Sequence, residues 1–265
     1  MKLSRGLACF FFGIFAASTV HAFTLNRNNL GNGIDGWSGG NVTYDYNYAS
    51  CPAGISTAEL DAAVRAALSI WNGVPTAALT VNYGSSVTKT AAQAKAQTTA
   101  SNPVIVCDTS FSATTGADGD FVPAAASIIL LDSNNRISFA VLYLNAEVGK
   151  DANIENMSTT SLEVIMAHEI GHSLGLGHSS DTGALMYFDA TLKTSLNLSK
   201  DDTDGITYLY PRNELGGSKI MGCTSASLDD ITRSGGPFKR NVAIDLSLVA
   251  VALWIAYQRR TKIAL

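Results

Sequence analysis

His168-Glu169-Ile170-Gly171-His172-Ser173-Leu174-Gly175-Leu176-Gly177-His178 is the stretch from which the rest of the chain is read. On a helix, residues four apart project about 40° apart on one face, so His168 and His172 can present both imidazoles to one ion. Glu169 points beside them and reaches a water at the metal without being a ligand. Gly175 has no Cβ and tolerates a left-handed backbone, which ends the helix and turns the chain. The turn lets His178 return as a third ligand. Three neutral nitrogen donors leave a fourth position for water, as a catalytic zinc site requires. A lone histidine on an apolar helix is more often structural than a ligand. This chain has 4 His, however, and apart from His21 all of them fall inside this one stretch.

Working outward, Thr160 and Glu163 are spaced as a capping box that opens the helix carrying Leu162, Ile165 and Met166. Ile128–Leu131 and Ile137–Leu144 are apolar runs joined by Asp132-Ser133-Asn134-Asn135, the pattern of a hairpin. Val104-Ile105-Val106 has the composition of a short buried strand, and Asp108–Pro123 reads as loop. Ser85–Ser101 lacks an apolar stripe and reads as a loop or a weak surface helix. Asn41–Tyr48 alternates Val42, Tyr44 and Tyr46 with polar residues, the period of a half-buried strand, and a second strand is expected over Leu79–Tyr83. Between these two strands, Ser56 and Glu59 form a second capping pair. Leu60, Val64, Ala67, Leu68 and Trp71 follow at helical spacing and end at Asn72-Gly73. Ser199–Tyr210 is a third helix, with Asp201 and Asp202 in its first turn and Pro211 as its stop.

These residues resemble the metzincin metallopeptidases, and among them the matrixins. Gly183-Ala184-Leu185-Met186-Tyr187 resembles their Met-turn, the hydrophobic floor beneath the zinc. Asp181 stands where matrixins carry an acid after the third ligand, and Asp201–Ile206 with Leu209-Tyr210 resembles the start of their last helix. The likeness runs loosely from Trp37 to Pro211 and is dense from Arg136 onward. It implies an α+β zincin fold, a twisted mixed sheet of about five strands with about three helices and the zinc site on the central helix. It also implies a zinc metalloendopeptidase acting as a monomer on polypeptide laid along an edge strand near Ser127–Leu131. One catalytic Zn2+ would be held by His168, His172 and His178. Glu169 would take a proton from water and later deliver it to the leaving amine. Met186 is expected to be structural, and Asp181 to order the segment after His178.

The chain departs from its relatives in several ways. Phe188 stands where matrixins carry Pro after the Met-turn Tyr, and no Tyr lies two residues past Met186, so the Tyr-bearing sites of astacin-like and serralysin-like metzincins are not matched. No cysteine-switch propeptide is recognisable, and no further His is left for the structural zinc of vertebrate matrixins. Asp118, Gly119 and Asp120 offer hard oxygen donors that suit Ca2+, although such a run is more often a polar turn. A surface adhesin that kept the scaffold and a cell-wall peptide amidase are the competing readings. Retention of Glu169 favours the peptidase over the adhesin, because a binding module could lose it and keep zinc.

The ends read differently from the middle. Lys2 and Arg5 precede an uncharged run over Gly6–Val20, and Val20-His21-Ala22 suits signal peptidase, so residues 1–22 are expected to be an export signal. Residues 23–216, the expected catalytic domain, carry 9 basic against 19 acidic groups, a net of −10, with no basic patch to suit nucleic acid. Residues 217–265 carry 7 basic and 3 acidic groups, a net of +4. Within them, 217–240 reads as a linker. Residues 241–265 read as a membrane anchor or sorting segment, because Val242–Tyr257 is apolar apart from Asp245 and Ser247 and has basic flanks. Gly222-Cys223 followed by this layout resembles the sorting tails of bacterial surface proteins. In an oxidising compartment Cys51 and Cys107 are candidates to pair, which leaves Cys223 over.

Overall fold

Each main element is held where its sequence pattern predicts, and a computed structural model describes residues 23–212. The expected export signal, linker and tail, together with Cys223, lie outside the described residues. The strands are β1 (Asn41–Asn47), β2 (Thr80–Ser86), β3 (Val104–Asp108), β4 (Ala124–Leu131) and β5 (Ile137–Asn145). They form one sheet in the order β2-β1-β3-β5-β4, parallel throughout except for the antiparallel β4–β5 hairpin. The α+β architecture with a five-stranded mixed sheet is therefore the one the resemblance implies.

Three long helices, α1 (Thr57–Asn72), α4 (Thr159–Ser173) and α5 (Lys200–Leu209), accompany two short ones, α2 (Ala91–Lys95) and α3 (Phe111–Thr115). Helix α1 has the Ser56/Glu59 capping box and stops at Gly73, as its sequence indicates. Helix α2 has a capping box of Thr90 and Gln93, which turns the weak helical pattern of that region into a real turn of helix. Helix α3 lies in a stretch expected to be loop, and only Phe111 of it is buried, so no apolar stripe announces it.

Helix α4 corrects one expectation. Its N-cap is Ser158, whose hydroxyl accepts from the Ser161 backbone N–H at 3.1 Å, so the Thr160/Glu163 pair is not its capping box. Ser at the cap position satisfies an orphan donor of the first turn equally well, and Thr160 then falls inside the helix.

The core lies mainly between the sheet and the packed pair α1 and α4. Val42, Tyr44, Ile105, Leu142 and Leu144 face it from the sheet, and Leu68, Trp71, Met166 and Ile170 from the helices. The opposite faces of β3 and β5, with Val104, Val106, Val141 and Tyr143, are covered by Ala91, Ala94 and Phe111 of the short helices. Burial on both faces explains why β3 and β5 read as unbroken apolar runs rather than alternating ones. The Trp71 indole donates to the Ala167 carbonyl at 2.9 Å and ties α1 to α4 from inside the core.

Cys51 and Cys107 form a disulfide, with Cα atoms 4.9 Å apart and a sequence separation of 56. It joins the segment after β1 to β3. Closing a loop of that length removes entropy from the unfolded chain worth about 4 kcal/mol in the chain-entropy treatment.

Candidate metal centre

Helix α4 is buried nearly all round, from Leu162 through Ser173, which places His168 and Glu169 deep beneath the surface. His168 is 3% exposed and Glu169 7%. The helix ends as its glycine requires. Gly175 has φ 113°, its N–H donates to the His172 carbonyl, and the Leu176 N–H reaches back to the Gly171 carbonyl. That pair of bonds is a Schellman closure, and it swings the chain so that His178 returns over His172. The ring nitrogens of His168, His172 and His178 all lie within 4.8 Å of one another, the one such group of His, Cys or acidic residues among those described.

The environment sets the state of each ring. His168 Nδ1 lies 2.8 Å from the Leu185 carbonyl and His172 Nδ1 2.8 Å from the Leu176 carbonyl. A carbonyl only accepts, so in each neutral ring Nδ1 carries the proton and Nε2 is a bare lone pair. Burial depresses the imidazole pKa of His168 to about 4 and that of His172 to about 3, and it lowers His178 as well. His172 Nε2 stands 3.1 Å from His178 Nε2. Such an approach needs a proton on the His178 ring or a cation between the two. With a third imidazole converging and burial opposing protonation, the donor set fits a divalent ion that prefers neutral nitrogen.

Glu169 completes the group. Burial raises its pKa to about 8, and the backbone of Ala126 on β4 opposes that rise. His168, Glu169, His172 and His178 line one groove of about 510 Å³ together with Ala124–Ala126 of β4 and Phe188. Strand β4 is the sheet edge expected to lie along this groove. Phe188, in the position where a proline was expected, is 63% exposed at the groove wall.

The Met-turn has the supporting place that the resemblance implies. Met186 is 2% exposed, and a Cβ at Gly171 would overlap its Sδ and press on the Trp71 ring at 2.8 Å. Gly171 is therefore needed so that this floor can approach the helix between the two histidines. Asp181 orders the segment after His178: its Oδ1 accepts from the Gly183 N–H at 2.8 Å and its carbonyl from Ala184.

Two supports escaped the sequence reading. Asp202, 1% exposed, accepts from the backbone N–H groups of Leu185 at 2.7 Å, Met186 at 2.9 Å and Ser199 at 2.7 Å. It thus holds the turn whose Leu185 carbonyl orients His168. The Ser199/Asp202 spacing is a legible capping signal, but its second task is not. The segment Phe23–Asp35 is the other. Asn26 N–H donates to the Gly175 carbonyl, Gly177 N–H to the Thr24 carbonyl and Thr24 Oγ1 to the His178 carbonyl, so an added strand clamps the ligand-bearing turn.

The oxygen donors that suit calcium each have a protein partner. Asp120 pairs with Lys150 at 3.0 Å, Asp118 Oδ1 accepts from the Asp120 N–H, and the Gly119 carbonyl accepts from Asn145. They build the polar turn that was the competing reading of this stretch.

Comparison with known proteins agrees with this geometry. An interstitial collagenase of Bos taurus is 44% identical over 72 residues, 24% of this chain and 15% of the relative. Metalloendoproteinase 1 of Glycine max is 53% identical over 57 residues, 21% of this chain and 19% of the relative. Metalloendoproteinase 2-MMP of Arabidopsis thaliana is 36% identical over 117 residues, 39% of this chain and 30% of the relative. The chain thus spans between 15% and 30% of the length of these relatives. The family model described as Matrixin matches residues 36–211, which takes in the sheet, the helix with its two histidines, the Met-turn and the last helix, and the chain belongs to the matrixin family.

Proposed function

We propose that this chain is an exported zinc-dependent endopeptidase, with His168, His172 and His178 as metal ligands and Glu169 as the general base. The observation that carries the reading is the convergence of three neutral imidazoles beside a buried carboxyl group in a groove along an edge strand. When bound, zinc supplies Lewis acidity that acidifies water and polarises a peptide carbonyl. The chain's own residues do the rest. Glu169 takes a proton from the attacking water as its oxygen bonds to the carbonyl carbon. It passes that proton to the amide nitrogen as the C–N bond breaks. Its raised proton affinity suits both halves of this exchange. The rest of β4 offers main-chain groups to an extended polypeptide with little demand on its sequence.

Removal and return of the metal tests the reading. Full-length protein should carry about one zinc per chain and cleave casein. A chelator should abolish cleavage, and added zinc should restore it. Casein cleavage that survives complete metal removal refutes the zinc mechanism. Cleavage of muropeptides in place of casein would support the amidase instead.

The proposal extends to location. Residues 1–22 act as the export signal and 241–265 as a membrane-attachment segment, supported by their charge and apolar pattern. Among the described residues no helix is long and apolar enough to cross a membrane. The full chain should fractionate with membranes, and a form stopped at Gly217 should be soluble and still proteolytic. Intact, tail-bearing protein that is active in the soluble fraction overturns the anchor.

A further inference from the structure

The groove over the histidines does not end at Ala126. A second groove of about 540 Å³ begins at the same residue and continues along β4 past Ile129 and Leu131. Its facing wall is the N-terminal segment, with Arg27 and Leu30. That wall lies outside residues 36–211, the part matched to the family.

The wall is built rather than draped. Arg27 bridges to Gly33 across a tight turn, and Asn28 Oδ1 accepts from the N–H groups of both Leu30 and Asn32 at 3.0 Å. Asn28 Nδ2 donates to Asn135 Oδ1 at 2.7 Å, and Asn135 Nδ2 to the Gly33 carbonyl at 2.6 Å, which locks this turn to the β4–β5 hairpin. Arg27 uses Nη1 to hold the Gly31 carbonyl at 2.9 Å. A guanidinium has five N–H donors, so this bond orients the group and leaves most of its fork open. Arg27 takes part in neither of the ion pairs found among the described residues. In a domain with 19 acidic and 9 basic groups, an unpaired guanidinium beside the candidate active groove is a local exception in sign.

We propose that Arg27 is a specificity-determining residue that favours substrates with a carboxylate about three to five residues from the scissile bond. That spacing follows from the strand: Glu169 meets β4 at Ala126, and Ile129 to Leu131 lie three to five residues further on, roughly 10 to 17 Å at strand rise. A peptide paired with β4 advances at the same rise, so its side chain arrives at Arg27 over that interval. Planar, bidentate recognition suits guanidinium and carboxylate. The inference rests on the endopeptidase reading.

The test uses fluorogenic peptides with one common cleavable centre and Glu, Gln or Lys placed three to five residues to either side. The full-length chain should cleave one Glu peptide about threefold faster in kcat/KM than its Gln counterpart at low salt, the size expected of a solvent-exposed ion pair. The ratio should fall towards one at high salt. Arg27→Gln should abolish the preference, Arg27→Lys should restore part of it, and Arg27→Glu should turn it towards Lys. Zinc content and the urea midpoint of unfolding should match the parent in all three variants, which certifies folding and the metal site. A Glu-to-Gln ratio unchanged in Arg27→Gln overturns the proposal. Failure of the parent protein to cleave any peptide would refute the endopeptidase reading instead.

Discussion

Replacing Glu169 by Ala is expected to lower peptide hydrolysis by about two to four orders of magnitude while the protein keeps its zinc. The expectation follows from the division of labour in the groove. In the proposed arrangement the three imidazoles are the ligands and Glu169 is not, so metal content should match the parent by elemental analysis. What disappears is the group that takes the proton from water and gives it to the amine. Glu169→Gln sharpens the test. Its side-chain amide fills the same space beside Ala126, so the groove keeps its shape while the base is gone. Both variants should fall together in kcat. A Gln variant that cleaves at the parent rate would show that the proton is handled elsewhere.

The second large effect is expected at Asp202. Asp202→Ala should cost about 3 to 5 kcal/mol of stability, read as a lower urea midpoint, because it strands the buried Leu185 and Met186 N–H groups and removes the carboxylate that accepts from the Ser199 N–H at the start of α5. Each stranded donor costs about 1 to 3 kcal/mol, while Ser199 Oγ still caps the helix. A consequence for the metal is also expected. Asp202 fixes the turn that carries the Leu185 carbonyl, and that carbonyl orients His168. Loosening it should weaken zinc binding by about 10- to 100-fold, the usual effect of losing a group that orients a ligand. A competition titration with a coloured chelator measures this on the folded variant. Parent-like unfolding and zinc affinity together would show that the turn supports itself.

The parts of the site that were legible are those whose geometry is local. The four-residue spacing of His168 and His172, and the single turn at Gly175 that returns His178, depend on helix pitch and on one left-handed residue. Helix α1 announced itself because cap, apolar stripe and stop all lie within one short run, and α5 through its acidic first turn and Pro211. The β4–β5 hairpin was found for the same reason, although β4 begins at Ala124 rather than Ile128. Three consecutive alanines offer no apolar alternation to extend the strand. Helix α3 was missed because one buried Phe makes no period, and α4 begins before Thr160 because Ser158 offers an equivalent hydroxyl.

The sequence by itself determined the convergence of the three histidines, the place of Glu169 beside them, the Met-turn and the elements that carry them, since each rests on contacts between residues a few positions apart. Tertiary structure alone decided what holds those groups to their task. The carbonyl that orients His168 is 17 residues away, Asp202 reaches the Met-turn across 16 and 17 residues, and Asn26 grips the His172 carbonyl across 146. Bonds of that kind form wherever folding delivers a donor to an acceptor, and no spacing in the chain encodes them. The same holds for Arg27, an unremarkable residue near the start of the domain until the fold sets it beside β4.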